Sequence, residues 1–149
     1  MSGVSIRAIG SAMGMAVIAF GVLTGPSVRG EVKAVPVAAD DPRMLAGQAI
    51  FTDTCMACHR ASGAGVANLF PRLAKNDVVL QEDASWPIVM VLQGGRVAAT
   101  ETAAAGPAMP ALGWRLSDRQ VADVLTYVRN SWGNAAPAVS ARDVEKLRR

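Results

Sequence analysis

Cys55-Met56-Ala57-Cys58-His59 holds both cysteines and the single histidine of this 149-residue chain. Two cysteines separated by two residues, with a histidine directly after the second, form the C-x-x-C-H pattern of covalent c-type haem attachment. On one turn the two thiols can each add to a haem vinyl group, and the adjacent imidazole is then held under the ring as the proximal iron ligand. A chain tethered to so large an apolar disc folds around it. The five residues therefore constrain the fold as well as the chemistry.

Other uses of paired cysteines fail by counting. With no further Cys or His, a structural zinc site would have to complete four-coordination with carboxylates. A thioredoxin-like dithiol expects a strand before the motif and a βαβ context after it, and neither pattern is present. A disulfide between cysteines this close would close a tiny loop and contribute little, because stabilisation grows with loop length.

Residues 1–39 read as a signal peptide, or an N-terminal anchor, followed by a linker. Met1 to Arg7 carries one Arg, Ala8 to Thr24 is apolar, and Gly25-Pro26 ends the run, which is the pattern of a secretory signal. Val37-Ala38-Ala39 offers small residues for cleavage, and Gly25 to Ser27 an earlier cut. The other reading is an uncleaved anchor, with membrane association through residues 8–24. That run falls short of the roughly 20 residues that span a bilayer, though Val28 extends it and helices accept some mismatch.

Gly30 to Ala39 has no periodicity, residues 40–134 make one domain by length, and residues 135–149, rich in Ala, Pro and charge, read as a flexible tail outside the core. The net charge of +3 loses its meaning once placed, because Arg7, Arg29 and Lys33 lie in the leader and linker against Glu31 alone. The rest is nearly balanced. With no basic stripe and no interleaving of aromatics with arginines, nucleic-acid binding is excluded.

The element pattern is all-α. Asp41 with Pro42 marks a helix start, and Gly47, Ile50, Phe51 and Thr54 share one face of a helix running into the haem motif. Short helices follow at Asp77 to Gln81 and from Ser85-Trp86-Pro87 to Gly94-Gly95, the second with Ile88, Val91 and Leu92 on one side. Ser117-Asp118-Arg119-Gln120 is a capping box with Leu116 and Val121 as its staple. Val121, Val124, Leu125, Val128 and Trp132 then form an apolar stripe, with Arg119, Asp123 and Arg129 toward water and Gly133 as the stop. No segment alternates with period two. Long loops of this kind need a ligand to pack around.

From about Asp41 to Asn134 the chain resembles the class I c-type cytochromes. Gly47 and Phe51 precede Cys55-x-x-Cys58-His59; Pro71 with Leu73 follows at the family's interval; Met109 lies in a Pro-flanked loop; an aromatic-bearing helix closes the domain. The resemblance implies a small all-α cytochrome c fold, with N- and C-terminal helices packed together around one covalent haem c. It also implies export, electron transport rather than catalysis, and a Pro71 carbonyl that accepts the His59 Nδ1 hydrogen bond. Gly65 to Leu73 and Leu116 to Asn134 look further like cytochrome subunits of bacterial periplasmic dehydrogenases, quinoprotein alcohol dehydrogenases and molybdenum hydroxylases among them. Members of that group often carry three haem motifs, whereas this chain has one. The implied partners are a periplasmic dehydrogenase as donor and a further cytochrome or an oxidase as acceptor.

The sixth iron position decides the chemistry. Met44, Met56, Met90 and Met109 offer thioethers, and Gly106-Pro107-Ala108-Met109-Pro110 presents Met109 from a loop stiffened on both sides. Met56 sits inside the motif, Met44 one helix earlier on the proximal side, and Met90 in a helix, where methionine usually fills gaps. With His59 and Met109 both on iron, oxygen and peroxide find no open position, and the soft thioether raises the reduction potential. The alternatives are a haem protein with an exchangeable sixth site, acting as a gas sensor or peroxidase, and a haem-bearing interaction module docked by its tail. Arg72, Arg96 and Trp114 are candidate propionate contacts.

Overall fold

Asp41 starts the first helix because its carboxylate occupies an amide that the first turn leaves without a partner, accepting from Arg43 N at 2.8 Å. Pro42 follows at the first helical position, where no N–H is needed. The computed structural model describes residues 36–96 and 106–148. Among them lie α1 (Pro42–Ile50), α2 (Met56–His59), α3 (Asp77–Leu80), α4 (Ser85–Gln93), α5 (Asp118–Asn130) and α6 (Ala141–Leu147), with a π-helical turn at Phe51–Cys55 between the first two. No strand occurs among the described residues, and the isolated bridges join Val66 to Phe70 and Gly95 to Met109. The all-α reading holds. The apolar run Ala8 to Thr24 lies outside the described residues, and no described helix is long and apolar enough to cross a membrane.

α1 and α5 make the most extensive helix pair, and Gly47 sets their distance. A Cβ there would overlap the Asp123 carbonyl and lie 2.7 Å from Tyr127 Cβ, so a residue without a side chain lets the two backbones meet. α1 does not continue as an α-helix into the haem motif, as its spacing predicts. Met56 N bonds back to Phe51 O, and the extra residue in that turn rotates the rest of the motif by about 100°. Cys55 and Met56 consequently join Phe51, Val124 and Val128 in one apolar cluster.

α5 begins as its sequence signals. Ser117 Oγ accepts from Gln120 N at 3.3 Å while Gln120 Oε1 accepts from Ser117 N at 2.9 Å, and Leu116 and Val121 are buried in the same cluster. Its surroundings differ from the single-stripe expectation. Asp123 and Arg129, expected to face water, are 5% and 0% exposed. Asp123 lies under the α1 contact and accepts from Arg119 Nε at 3.0 Å. Arg129 donates through Nη1 to Val79 O at 2.7 Å and through Nε to Pro137 O at 3.1 Å. It thus serves carbonyls at the end of α3 and in the chain after α5 that no regular structure satisfies. Trp132 lies beyond the helix, which ends at Asn130, and takes a φ of 55° ahead of Gly133 at 82°.

Residues 135–149, expected to be a flexible tail outside the core, pack into it instead. Ala136, Val139 and Val144 are buried, and Val139 and Val144 pack with Ile88, Leu112 and Leu125 in the larger core cluster. Thr126 Oγ1 accepts from Val139 N at 3.0 Å, and α6 is capped by Ser140. Three isolated apolar residues among Ala, Pro and charge give no helical stripe of their own. They become core because α4 and α5 leave a face for them to cover.

Candidate haem site

Cys55 and Cys58 are partly buried, free thiols. Cys55 comes from the π turn and Cys58 from α2, so one local segment carries both. Burial pushes the Cys55 thiol up to about 11, reinforced by Cys58 and Asp53. A redox-active dithiol needs the opposite, a lowered thiol pKa. Behind Cys55 the rings of Phe51, Tyr127 and Trp132 meet pairwise at 5.1 to 5.6 Å between centroids, giving the tethering turn a rigid apolar backing.

His59 ends α2 and is 9% exposed. Its Nδ1 lies 2.9 Å from Pro71 O. A carbonyl can only accept, so Nδ1 donates to it and Nε2 is the nitrogen left to face a metal, which is the orientation of a metal-binding histidine. The loop that supplies Pro71 is itself held. Gly65 N donates to His59 O at 3.0 Å and Leu73 N to Gly63 O at 2.7 Å, and a Cβ on Gly65, whose φ is 65°, would sit 2.6 Å from Pro71 O. Only glycine takes that conformation at that distance without strain.

Asn134, which sequence reasoning did not single out, and Trp132, which it placed in the apolar stripe of the last helix, secure this loop. Asn134, 3% exposed, accepts from Lys75 N at 2.7 Å and donates to Leu73 O at 3.1 Å and Val128 O at 2.7 Å. It clips the chain after Pro71 to the end of α5. Trp132 donates from Nε1 to Ala61 O at 2.9 Å and lays its ring on Gly63. A lone Asn carries no periodic signal, and Trp132 reads equally well as a stripe residue.

Met109 is partly buried against the larger core cluster. It exchanges both backbone hydrogen bonds with Gly95, at 3.0 and 2.7 Å. The start of its loop touches the Pro71 loop, since a Cβ on Gly106 would overlap Leu69 O. Met90 reaches the same corner, its sulfur 3.2 Å from where a Gly95 Cβ would be. Met44 is buried in α1, and Met56 packs with Phe51. Arg72 and Arg96 are exposed. Trp114, 84% exposed, spends its N–H on Ala111 O at 3.0 Å.

The residues present fit a covalent haem: two uncrosslinked thiols on one segment, an oriented imidazole directly after them, and an apolar backing. Among the described residues no three His, Cys, Asp or Glu side chains converge as they would around a metal ion. A helical chain built this way is a c-type haem protein.

Comparison with known proteins agrees. The cytochrome c family model matches residues 44–132, and the chain belongs to the cytochrome c family, whose haem is attached through such a cysteine pair. The gluconate 2-dehydrogenase cytochrome c subunit of Pantoea cypripedii is 42% identical over 105 residues, covering 69% of this chain and 24% of that protein. The cytochrome c subunit of the quinone alcohol dehydrogenase of Gluconacetobacter polyoxogenes is 39% identical over 113 residues, covering 75% and 24%. That of Gluconobacter oxydans (strain 621H) is 41% identical over 104 residues, covering 69% and 22%. The chain therefore spans about a quarter of the length of the curated relatives it matches.

Proposed function

We propose that this chain transfers electrons through one covalent haem c with His59 and Met109 as axial ligands, taking them from a dehydrogenase and passing them to a further cytochrome or an oxidase. The observation that carries the reading is the His59 Nδ1 to Pro71 O hydrogen bond at 2.9 Å. It leaves Nε2 as a strong, oriented donor directly beside the paired thiols. When bound, the haem supplies a one-electron couple. The chain's own residues set its character. His59 would hold one side of the iron, and the Met109 thioether, presented between Pro107 and Pro110 on a backbone paired to Gly95, would suit the other as a soft ligand that favours ferrous iron. The dehydrogenase partner is supported by the relatives, which are named as dehydrogenase subunits.

With both axial positions filled, adding carbon monoxide to the reduced protein at neutral pH is expected to leave its visible spectrum unchanged. A prompt shift of the Soret band would replace this reading with the gas-sensor or peroxidase one.

The proposed location is the periplasm, supported by the apolar run Ala8 to Thr24 ahead of the haem motif. Mass spectrometry of the mature protein is expected to find an N-terminus between Gly21 and Asp40. Recovery of intact Met1 in a membrane fraction would instead establish the anchor.

A further inference from the structure

The Met109 loop is anchored at the methionine and again just after it. Before α5, Leu112 N and Gly113 N donate to Val91 O and Leu92 O, each at 3.0 Å. These carbonyls belong to the last turn of α4, which has no helical partners for them. Met109 itself is paired to Gly95.

Arg148, directly after α6, completes the anchor on the α5 side. Its Nη1 donates to Gly113 O, its Nη2 to Leu116 O at 2.8 Å, and its Nε to Asp118 Oδ1 at 2.5 Å. The planar fork thus spans the whole turn between the ligand loop and the first residue of α5, a grip that a point-charged lysine cannot reproduce. The side chain is 30% exposed, so the bonds are partly shielded from competing water. The far end of the chain thereby holds the backbone four residues after Met109.

We propose that Arg148 is a positioning residue for the sixth iron ligand. By fixing Gly113 and Leu116 it limits the local opening through which the Met109 thioether leaves the iron. Local openings of this kind are governed by the few contacts that tie a loop to its scaffold. The proposal rests on Met109 being the ligand.

The test uses the ferric holoprotein with imidazole as the entering ligand, at concentrations where the observed rate equals methionine release. Arg148→Ala is expected to bind imidazole roughly tenfold faster, the effect of losing charge-assisted hydrogen bonds from the closed state only, while its near-infrared sulfur-to-iron band persists without imidazole. Val79→Ala, which loosens the other core cluster, supplies the comparison at an equal fall in denaturant midpoint and is expected to leave the rate near wild type. An unchanged rate in Arg148→Ala, or equal acceleration in Val79→Ala, would overturn the proposal. Should Arg148→Ala not retain haem, Arg148→Lys keeps the charge but loses the fork, and a several-fold faster rate or an unchanged one decides in the same way. If wild type lacks the band or Met109→Ala keeps it, the ligand assignment fails first and this proposal fails with it. If the band depends on Met109 and only the rate is unmoved, Arg148 alone is wrongly placed.

Discussion

Replacing Cys55 and Cys58 together by Ala is expected to abolish haem staining after denaturing electrophoresis and to leave the domain largely unfolded. The staining follows from chemistry, since thioether bonds survive denaturation and no other thiol exists to form them. The unfolding follows from size. Apolar burial stabilises by about 25 cal/mol per Å², and a domain this small is stable by only about 5–15 kcal/mol in all, so losing a partner as large as haem removes a comparable amount. The Pro71 loop and the Met109 loop, joined at Gly106 and Leu69, are irregular segments that depend on such a partner. Either single cysteine variant is expected to prevent normal two-thioether attachment, with near-ultraviolet circular dichroism reporting the loss of packing. A fully stained double variant would sink the c-type assignment.

Met109→Ala is expected to abolish the near-infrared sulfur-to-iron charge-transfer band, lower the reduction potential and open the iron to carbon monoxide and cyanide, because the soft donor that favours the ferrous state is gone. Met90→Leu conserves volume and should leave all three properties nearly unchanged. The comparison is sharp because both thioethers reach the same corner of the molecule: Met90 lies against Gly95, and Gly95 is paired to Met109. They differ in their supports. Met109 is carried by a proline-flanked segment whose backbone is fixed at Met109 and at Leu112 and Gly113, whereas Met90 is carried by α4, where its side chain fills space. If Met90→Leu loses the band and Met109→Ala keeps it, the ligand belongs to the helix and the loop is a cover.

Local signals in this chain were reliable wherever a short pattern has one physical solution. Asp41-Pro42 and Ser117 to Gln120 place helix starts because each supplies acceptors for amides that a first turn leaves open. Gly47 with Phe51 forecasts a close helix contact, and the structure puts the Asp123 carbonyl against Gly47. The cysteine pair with its histidine names the cofactor because few arrangements of those side chains do anything else. Periodicity misled at α5. Asp123 and Arg129 fall on the polar side of a helical wheel, yet both are buried, because a wheel cannot know how many neighbours a helix will have.

What the sequence determined by itself was the cofactor, the helical class and the helix starts, all of which depend on residues within about one or two turns of each other. The tertiary structure decided the rest through contacts between distant residues. Pro71 O meets His59 Nδ1 across a loop, Asn134 ties the end of α5 to Leu73 and Lys75, and Arg129 gathers carbonyls from α3 and the segment before α6. The stretch after Asn134 shows the difference most plainly. Its composition is that of a solvated tail, but Val139 and Val144 fill a gap that only assembled helices create, and Arg148 finds its acceptors only once the turn before α5 has closed. Hydrogen bonds and packing of this kind depend on where a backbone carbonyl or an open face lies in space, and no local pattern of side chains encodes that position.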